Sequence, residues 1–291
     1  MEISKVMVIG AGQMGSGIAQ VAAQSGFTVV FNDLCRAYVV KALAGISRRL
    51  DRSVDKSDMT PQQREATLGR IVSSTSLEDV AGVDLVIEAV PEELALKQQI
   101  FRTLDRSVQA ETILATNTSS LPITEIAAVT RHPERVVGMH FMNPVPVMEL
   151  VELVRGIATN DKTFRTVQEL AGRLGKTPVA VNDSPGFVSN RVLMPLINEA
   201  IYCVYEGVAA AEDVDRVMTL GMRHPMGPLT LADFVGLDTC LAVMETLCRG
   251  FADSKYRPCP LLRKMVQAGW LGQKSGRGFY EYPRDSGAVS A

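Results

Sequence analysis

One apolar stretch, residues 138–154, contains a histidine and two glutamates that could act together. His140 is one of only three histidines in the chain and lies near the end of an apolar run that begins at Val136. An asparagine and two prolines follow, and proline cannot extend a strand ladder, so the chain should turn there. A second strand-like run then covers 147–154. Folded back at the prolines, the second run can bring a carboxylate to the imidazole.

A histidine beside a carboxylate is a candidate general acid and base. The imidazole titrates near neutral pH, and the carboxylate fixes its tautomer and stabilises the imidazolium that forms when the ring takes a proton. Glu149 and Glu152 both have apolar neighbours two residues away, so strand parity does not choose between them. The alternative is a buried histidine that is satisfied by the backbone, with two solvated glutamates.

Composition narrows the class of protein. The chain has 291 residues, 46% of them hydrophobic, which is enough to bury a sizeable core and predicts two domains. A net charge of −2 without a Lys/Arg-rich run argues against a nucleic-acid partner. No signal-like or membrane-spanning stretch is seen, so we expect a soluble, cytoplasmic protein with no membrane partner. The five cysteines lack metal-type spacing, which predicts reduced structural thiols and no metal site.

The chain opens with a dinucleotide-binding pattern. An apolar run at 3–9 leads into Gly10-Ala-Gly12-Gln13-Met14-Gly15 and then into a helical pattern. Glycines between a strand and a helix let backbone N–H groups approach a pyrophosphate. Asp33 follows the second strand, about twenty residues beyond the glycines, where a carboxylate binds the adenosine ribose and repels a 2′-phosphate. This favours NAD, although Arg36 weakens the preference, and a turn aspartate is the alternative.

Two further helices are predicted where a simple crossover needs one. The first covers 37–54, and Thr60 and Gln63 predict a capping box at the start of the second. Arg52 and Lys56 belong to a basic edge of this helical hairpin, which could meet a phosphate-bearing ligand. The alternative is a solvated helix face that is balanced by nearby aspartates.

Polar residues follow a later strand, at 112–115. Asn117 and Ser119 come directly after it, and ligands of an open parallel sheet lie across the carboxyl ends of the strands. These side chains are therefore candidates to contact a nicotinamide and a substrate. Capping of the next helix is the alternative for Ser119 and Ser120.

The strand pattern ends at residue 181, and four helices are predicted beyond it, over 187–205, 211–220, 229–249 and 261–268. We place the domain boundary at Pro185-Gly186. The predicted fold is α/β: a Rossmann-type domain at 1–184, with a mostly parallel sheet and an inserted helical hairpin, and an all-α domain at 185–291. Asn190 falls in the first turn of the first helix, and apolar helix faces could be buried against a second copy.

Over essentially its whole length the chain resembles the L-3-hydroxyacyl-CoA dehydrogenase family, and most closely its short bacterial 3-hydroxybutyryl-CoA members. The matching segments are 10–15, 117–120, 140–148, 183–191, 224–229 and 274–280.

The resemblance implies a role for each matching residue. His140 would be the catalytic acid and base, Glu152 its orienting partner, and Ser119 and Asn190 the ligands of the substrate oxygens. Besides the glycine loop, the residues implied to contact NAD are Asp33, Glu92, Lys97, Asn117, Ser119, Asn143 and Lys274. Lys56 and Arg52 would bind the CoA portion. The implied reaction is reversible hydride transfer between acetoacetyl-CoA and (S)-3-hydroxybutyryl-CoA, by a homodimer of fatty acid or butanoate metabolism.

Two other functions stay open at this point. A sugar-acid dehydrogenase of the L-gulonate type shares the glycine loop and the His/Glu arrangement. A non-catalytic NAD-binding or structural protein could use the same fold, because fold alone does not give function.

Overall fold

A single sheet aligns the carboxyl ends of its parallel strands along one edge. Its eight strands are β1 (Lys5–Ile9), β2 (Thr28–Asn32), β3 (Ile71–Ser74), β4 (Leu85–Glu88), β5 (Ile113–Thr116), β6 (Val136–Phe141), β7 (Leu150–Arg155) and β8 (Thr177–Asn182). In the computed structural model, which describes residues 2–283, they lie in the order β3-β2-β1-β4-β5-β6-β7-β8. Neighbours are parallel except for β6 and β7, which are antiparallel. The predicted α/β fold with a mostly parallel sheet is confirmed.

The central strands read as continuous apolar runs because both of their faces are buried. Every residue of β4, β5 and β6 is buried. The strand order reverses between β1 and β4, and an open α/β sheet binds its ligands in the crevice at such a reversal.

Helices cover the sheet. They are α1 (Gln13–Gln24), α2 (Arg36–Asp55), α3 (Pro61–Gly69), α4 (Leu94–Ser107), α5 (Ile123–Ala127) and α6 (Asp161–Arg173). The inserted hairpin is α2 and α3. The capping box predicted at the start of α3 forms: the Gln63 amide donates to Thr60 Oγ1 at 3.2 Å, and the Thr60 amide donates to Gln63 Oε1 at 2.8 Å. Local sequence therefore sets where this helix begins.

The chain divides into two compact units, Met1–Ser184 and Pro185–Ala291. Residues 284–291 of the predicted second domain lie outside the described residues. The helices of the second unit are α7 (Ser189–Tyr205), α8 (Ala211–Arg216), α9 (Pro228–Val235), α10 (Leu237–Phe251) and α11 (Pro260–Gln267). A π-helical turn, Val217–Gly221, extends α8.

One predicted helix is wrong. The pattern at 229–249 is split into α9 and α10 by Gly236, whose φ of 101° and ψ of 126° are incompatible with a continuous helix. The apolar spacing continues across the break, which is why the sequence reads as one helix.

Two buried carboxylates bind the segment after α11 to the rest of the second unit. Asp233 accepts hydrogen bonds from the amides of Phe279 and Tyr280, both at 3.0 Å. Asp215 accepts from the Leu229 amide at 2.8 Å and from the Tyr280 hydroxyl at 2.9 Å. The matching segment 274–280 thus contributes to the packing of its own unit. No helix within residues 2–283 is long and apolar enough to cross a membrane.

Candidate active site

The antiparallel pairing of β6 and β7 brings His140 and Glu152 together. The register places the two residues directly opposite each other, with His140 Nδ1 2.8 Å from Glu152 Oε2. Both are buried, with 8% and 2% of their surfaces exposed. Glu149 lies before β7 and is exposed. The structure thus selects Glu152, the residue that the family resemblance implied and that strand parity could not distinguish from Glu149.

This geometry is suited to proton transfer. A carboxylate on Nδ1 fixes the tautomer of the ring and stabilises the imidazolium that forms when the ring takes a proton. Burial strengthens the interaction because little water screens it.

A buried lysine that the sequence did not single out holds the turn between β6 and β7. Lys176 Nζ donates to the carbonyl oxygens of Val145 at 2.6 Å and Met148 at 2.8 Å. Burial lowers the pKa of its ammonium group, and Glu149 acts in the opposite direction. Its position just before β8 carries no local signal, because its partners are backbone carbonyls about thirty residues earlier.

Asn117 lies where β5 ends, beside the end of β6. Its Oδ1 accepts a hydrogen bond from the Phe141 amide at 3.0 Å, which ties the two strand ends together. The predicted polar residue at the carboxyl end of β5 is therefore next to the residue that follows His140.

Ser119 and Ser120 bind Glu92 instead of capping a helix. Their amides donate to Glu92 Oε1 at 2.9 and 3.0 Å, and their hydroxyls lie 3.3 and 3.1 Å from the same oxygen. The N-cap of α5 is Pro122, which makes no side-chain cap. No local pattern predicts this contact, because Glu92 lies 27 residues before Ser119 and 28 before Ser120.

The Glu92 carboxyl group is ionised at neutral pH. Partial burial alone raises the pKa of its carboxyl, but the Lys97 charge and the hydrogen bonds from the 118–120 segment outweigh burial and bring the pKa below its usual value. Lys97 itself is 1% exposed, and its ammonium group lies 2.6 Å from Glu88 Oε1. Lys97 is therefore a buried residue, and its contact with NAD stays a prediction.

The glycine loop has the form that a dinucleotide requires. A Cβ on Gly10, whose φ is +104°, would lie 2.5 Å from the Ala89 carbonyl oxygen, and one on Gly15 would lie 1.8 Å from the Gly10 carbonyl oxygen. A Cβ on Gly12 would meet nothing within 4 Å. Two glycines thus permit the turn itself, whereas Gly12 leaves open space in front of the α1 N-terminus, as close approach of a pyrophosphate demands.

Two other cofactor candidates contact this loop. Asp33 Oδ2 accepts a hydrogen bond from the Ala11 amide at 2.7 Å. Gln13 Nε2 donates to Asn143 Oδ1 at 3.0 Å, which links the loop to the turn after β6. The loop at the end of β1 is therefore connected to the segment that follows His140, while Met14 packs against the core of the first unit.

The basic edge of the hairpin forms a regular stripe along α2 that ends at the C-cap residue, Lys56. Arg48, Arg52 and Lys56 are exposed and four residues apart, so they lie on one helix face. Asp51, expected as a counter-charge, is 2.6 Å from Arg64 on α3. Asp51 is thus paired with α3, whereas Asp55 and Asp58 are exposed near the end of the stripe.

Two predicted site residues belong to the second unit. Asn190 lies in the first turn of α7. Lys274 Nζ donates to Asp238 Oδ2 at 2.7 Å, and both side chains are partly exposed.

Comparison with known proteins identifies the family of the chain. The model of the NAD binding domain of 3-hydroxyacyl-CoA dehydrogenase matches residues 5–184, and the model of the C-terminal domain of the same enzymes matches 186–282. A probable 3-hydroxybutyryl-CoA dehydrogenase of Bacillus subtilis is 61% identical over 97% of this chain and 98% of its own. The 3-hydroxybutyryl-CoA dehydrogenase of Bradyrhizobium diazoefficiens is 54% identical over 96% of each chain.

A solved structure gives the same result. The crystal structure of the (S)-3-hydroxybutyryl-CoA dehydrogenase of Ralstonia eutropha superposes with a TM-score of 0.95 at 50% identity, and covers 97% of this chain and 100% of that one. The first unit is therefore the NAD-binding part of a dehydrogenase. The chain as a whole belongs to the 3-hydroxyacyl-CoA dehydrogenase family, as its motifs predicted.

The glycine loop generates a paired prediction. Gly12→Ala should leave the unfolding temperature unchanged, because the new methyl group meets nothing and the backbone (φ −74°) suits alanine. It should still weaken NADH binding about tenfold or more, because the methyl group fills the space needed by the pyrophosphate. Fluorescence titration with NADH and a thermal melt provide the two measurements.

Gly15→Ala is the contrasting variant, since its methyl group clashes with Gly10 and should lower the unfolding temperature. If Gly12→Ala binds NADH with unchanged affinity, the pyrophosphate does not occupy the space in front of Gly12.

Proposed function

We propose that this protein interconverts acetoacetyl-CoA and (S)-3-hydroxybutyryl-CoA with NAD(H). The observation that carries the proposal is the buried His140–Glu152 pair beside the strand ends of an NAD-binding sheet. The names of the relatives from Bacillus subtilis and Bradyrhizobium diazoefficiens support the choice of a four-carbon acyl group.

His140 moves the proton of the reaction. We assign the transfer to Nε2, because Nδ1 is engaged with Glu152. When bound, NAD(H) accepts or supplies the hydride at C3 of the substrate. In the oxidising direction Nε2 takes the proton of the 3-hydroxyl group, and Glu152 stabilises the imidazolium. In the reducing direction the same nitrogen returns the proton to the oxygen that becomes the hydroxyl.

Ser119 and Asn190 orient the substrate oxygens in this proposal. Holding the reacting carbon in place contributes to the rate without a proton transfer. Ser119 follows the strand next to that of His140, which supports its role, and Asn190 is proposed on the match of segment 183–191 to the family. The other proposed cofactor contacts are Asp33, Glu92, Lys97, Asn117, Asn143 and Lys274.

The α2 stripe is proposed to bind the phosphates of CoA. Arg52 and Lys56 are exposed cations on one helix face, and their charges suit a phosphate-bearing ligand. A sugar acid carries no phosphate for them to bind, so the stripe favours acyl-CoA over L-gulonate.

A homodimer is part of the proposal. The π-helical turn of the second unit exposes Val217 and Leu220, with 61% and 77% of their surfaces in solvent, and Met222 follows at 62%. Adjacent exposed apolar side chains are typical of a subunit interface.

We also propose a role in fatty acid or butanoate metabolism, on the chemistry of the proposed substrates. The proposed location is the cytoplasm.

An absorbance assay tests the reaction. NADH should be oxidised rapidly with acetoacetyl-CoA, and His140→Ala should lower kcat by about 10²- to 10⁴-fold, the usual contribution of acid/base catalysis. His132→Ala is the matched control, because His132 forms an exposed pair with Glu134 at 3.2 Å, and its kcat should not change.

If NADH binds and acetoacetyl-CoA is not reduced, the acyl-CoA proposal is wrong. Turnover of L-gulonate with NAD would then identify a sugar-acid dehydrogenase, and turnover of neither substrate a non-catalytic NAD-binding protein.

The phosphate contacts predict an effect on KM. Arg52→Ala with Lys56→Ala should raise the KM for acetoacetyl-CoA by about tenfold and leave kcat unchanged, since the lost charges act on binding alone. Acetoacetyl-pantetheine lacks phosphates, so its KM should not respond. Arg102→Ala with Arg106→Ala, an exposed pair with the same spacing on α4, is the control. An equal rise for both substrates would contradict the assignment.

The proposed interface predicts a change of mass in solution. Val217→Glu with Leu220→Glu should convert a dimer into a monomer in sedimentation velocity, because two charges would be buried without partners. Ile157→Glu, at a 90% exposed position of the first unit, should leave the mass unchanged. A double variant that stays dimeric would place the interface elsewhere.

A further inference from the structure

Glu88 is a fully buried carboxylate at the carboxyl end of β4. It is 0% exposed, and its Oε1 accepts hydrogen bonds from the Val90 amide at 2.7 Å and from Lys97 Nζ at 2.6 Å. Its Oε2 accepts from Thr116 Oγ1 at 2.7 Å. A buried charge needs such complete partnering, because removing an ion from water is strongly unfavourable unless its new neighbours compensate.

Lys97 carries the connection to the next carboxylate. Its ammonium group donates to the Val90 carbonyl oxygen at 3.1 Å and lies 3.5 Å from Glu92 Oε2. With Glu88 on one side and Glu92 on the other, the cation fixes the relative position of the two acids. Lys97 lies in the first turn of α4, so a regular element supports it.

Glu92 then holds the 118–120 segment. Its Oε1 is within hydrogen-bond distance of the amides and hydroxyls of Ser119 and Ser120 and of the Thr118 hydroxyl. Thr116 supports the same segment from the other side, because its Oγ1 also accepts from the Thr118 amide at 3.2 Å. Both routes begin at Glu88 and end at the turn that carries Ser119.

We infer that Glu92 is a positioning residue for Ser119 and that the buried Glu88–Lys97 pair holds the Glu92 carboxylate in place. Lys97 thus acts on Ser119 through Glu92. The inference rests on the proposed function in one respect, namely that Ser119 binds a substrate oxygen. The hydrogen-bonded arrangement itself can be tested without turnover.

Hydrogen exchange followed by mass spectrometry tests the arrangement. In Glu92→Ala the amides of Ser119 and Ser120 lose the Glu92 carboxylate, and the Ser120 amide keeps only a longer contact to Thr118 Oγ1 at 3.4 Å among its acceptors within the described residues. A peptide that covers 117–121 should therefore exchange about tenfold faster or more. Glu93→Ala is the matched control: Glu93 is the exposed N-cap of α4, and its side chain makes no cap bond. Unchanged exchange in Glu92→Ala overturns the inference whether or not the enzyme reduces acetoacetyl-CoA.

A double-mutant cycle tests the consequence for turnover. If Glu92 acts through Ser119, then Glu92→Ala and Ser119→Ala should each lower kcat about tenfold, and the double variant should lose no more than the more impaired single variant. Glu92→Gln should recover part of the rate, because its amide oxygen still accepts hydrogen bonds. The inference is overturned if kcat of the double variant falls about one hundredfold. It is also overturned if Glu92→Ala raises only the KM for NADH.

The buried pair is tested by removing both charges at once. Glu88→Gln with Lys97→Met keeps an acceptor for the Val90 amide and removes both charges of the buried pair. Glu92 loses the Lys97 charge but is partly exposed to solvent, so no ion is left both fully buried and unpaired, and the variant should fold. It should lower kcat and speed exchange at 117–121 as Glu92→Ala does. A folded variant with wild-type kcat and exchange would show that Glu92 does not depend on the pair. A wild-type protein that reduces no acetoacetyl-CoA, with faster exchange in both variants, would contradict the proposed function alone.

Discussion

The antiparallel pairing of β6 with β7 is the constraint on which the rest of the site depends. In a wholly parallel sheet the next strand would return by a crossover on one face, and its side chains would come from a distant part of the sequence. A direct reversal instead sets Glu152 opposite His140 across a strand pair, where register fixes the contact. A shift of one residue would turn the carboxylate to the other face of the sheet. The turn held by Lys176 is therefore as important to the pair as the two strands.

Buried ions recur at the carboxyl edge of the sheet, and each is matched by its own partner. Glu152 contacts an imidazole, Glu88 an ammonium group and a hydroxyl, and Lys176 two carbonyl oxygens. Such groups contribute little net stability when they are complete, but removing one partner leaves an uncompensated charge. The edge thus favours a single arrangement of its loops, because an alternative arrangement would leave a charge without its partner.

Sequence reasoning predicted the features that local pattern determines. The strand–glycine–helix unit, the capping box at Thr60 and the fold class follow from spacing and residue type within a few positions. Strand parity could not choose between Glu149 and Glu152, because register is a property of two strands; only the family resemblance implied Glu152. Lys176 was missed because its partners lie about thirty residues away. Glu88 was missed because it follows three apolar strand residues without a local signal for its contacts with Lys97 and Thr116. The sequence pattern joined α9 to α10 because apolar spacing continues across Gly236. Contacts between segments that are distant in sequence are the hardest features to predict from a single sequence.

The position of the α2–α3 hairpin has a consequence for how this fold can diversify. The hairpin leaves the sheet after β2 and returns at β3, the outermost strand, so no central ladder runs through it. Its length and charge can change while the strands that carry the His140–Glu152 pair keep their registers. In the proposed function, recognition of the phosphate-bearing end of the ligand and chemistry at its reactive end would thus be built on separate parts of the fold. Exchange of the hairpin between relatives offers a route to new substrates that leaves the reaction itself intact.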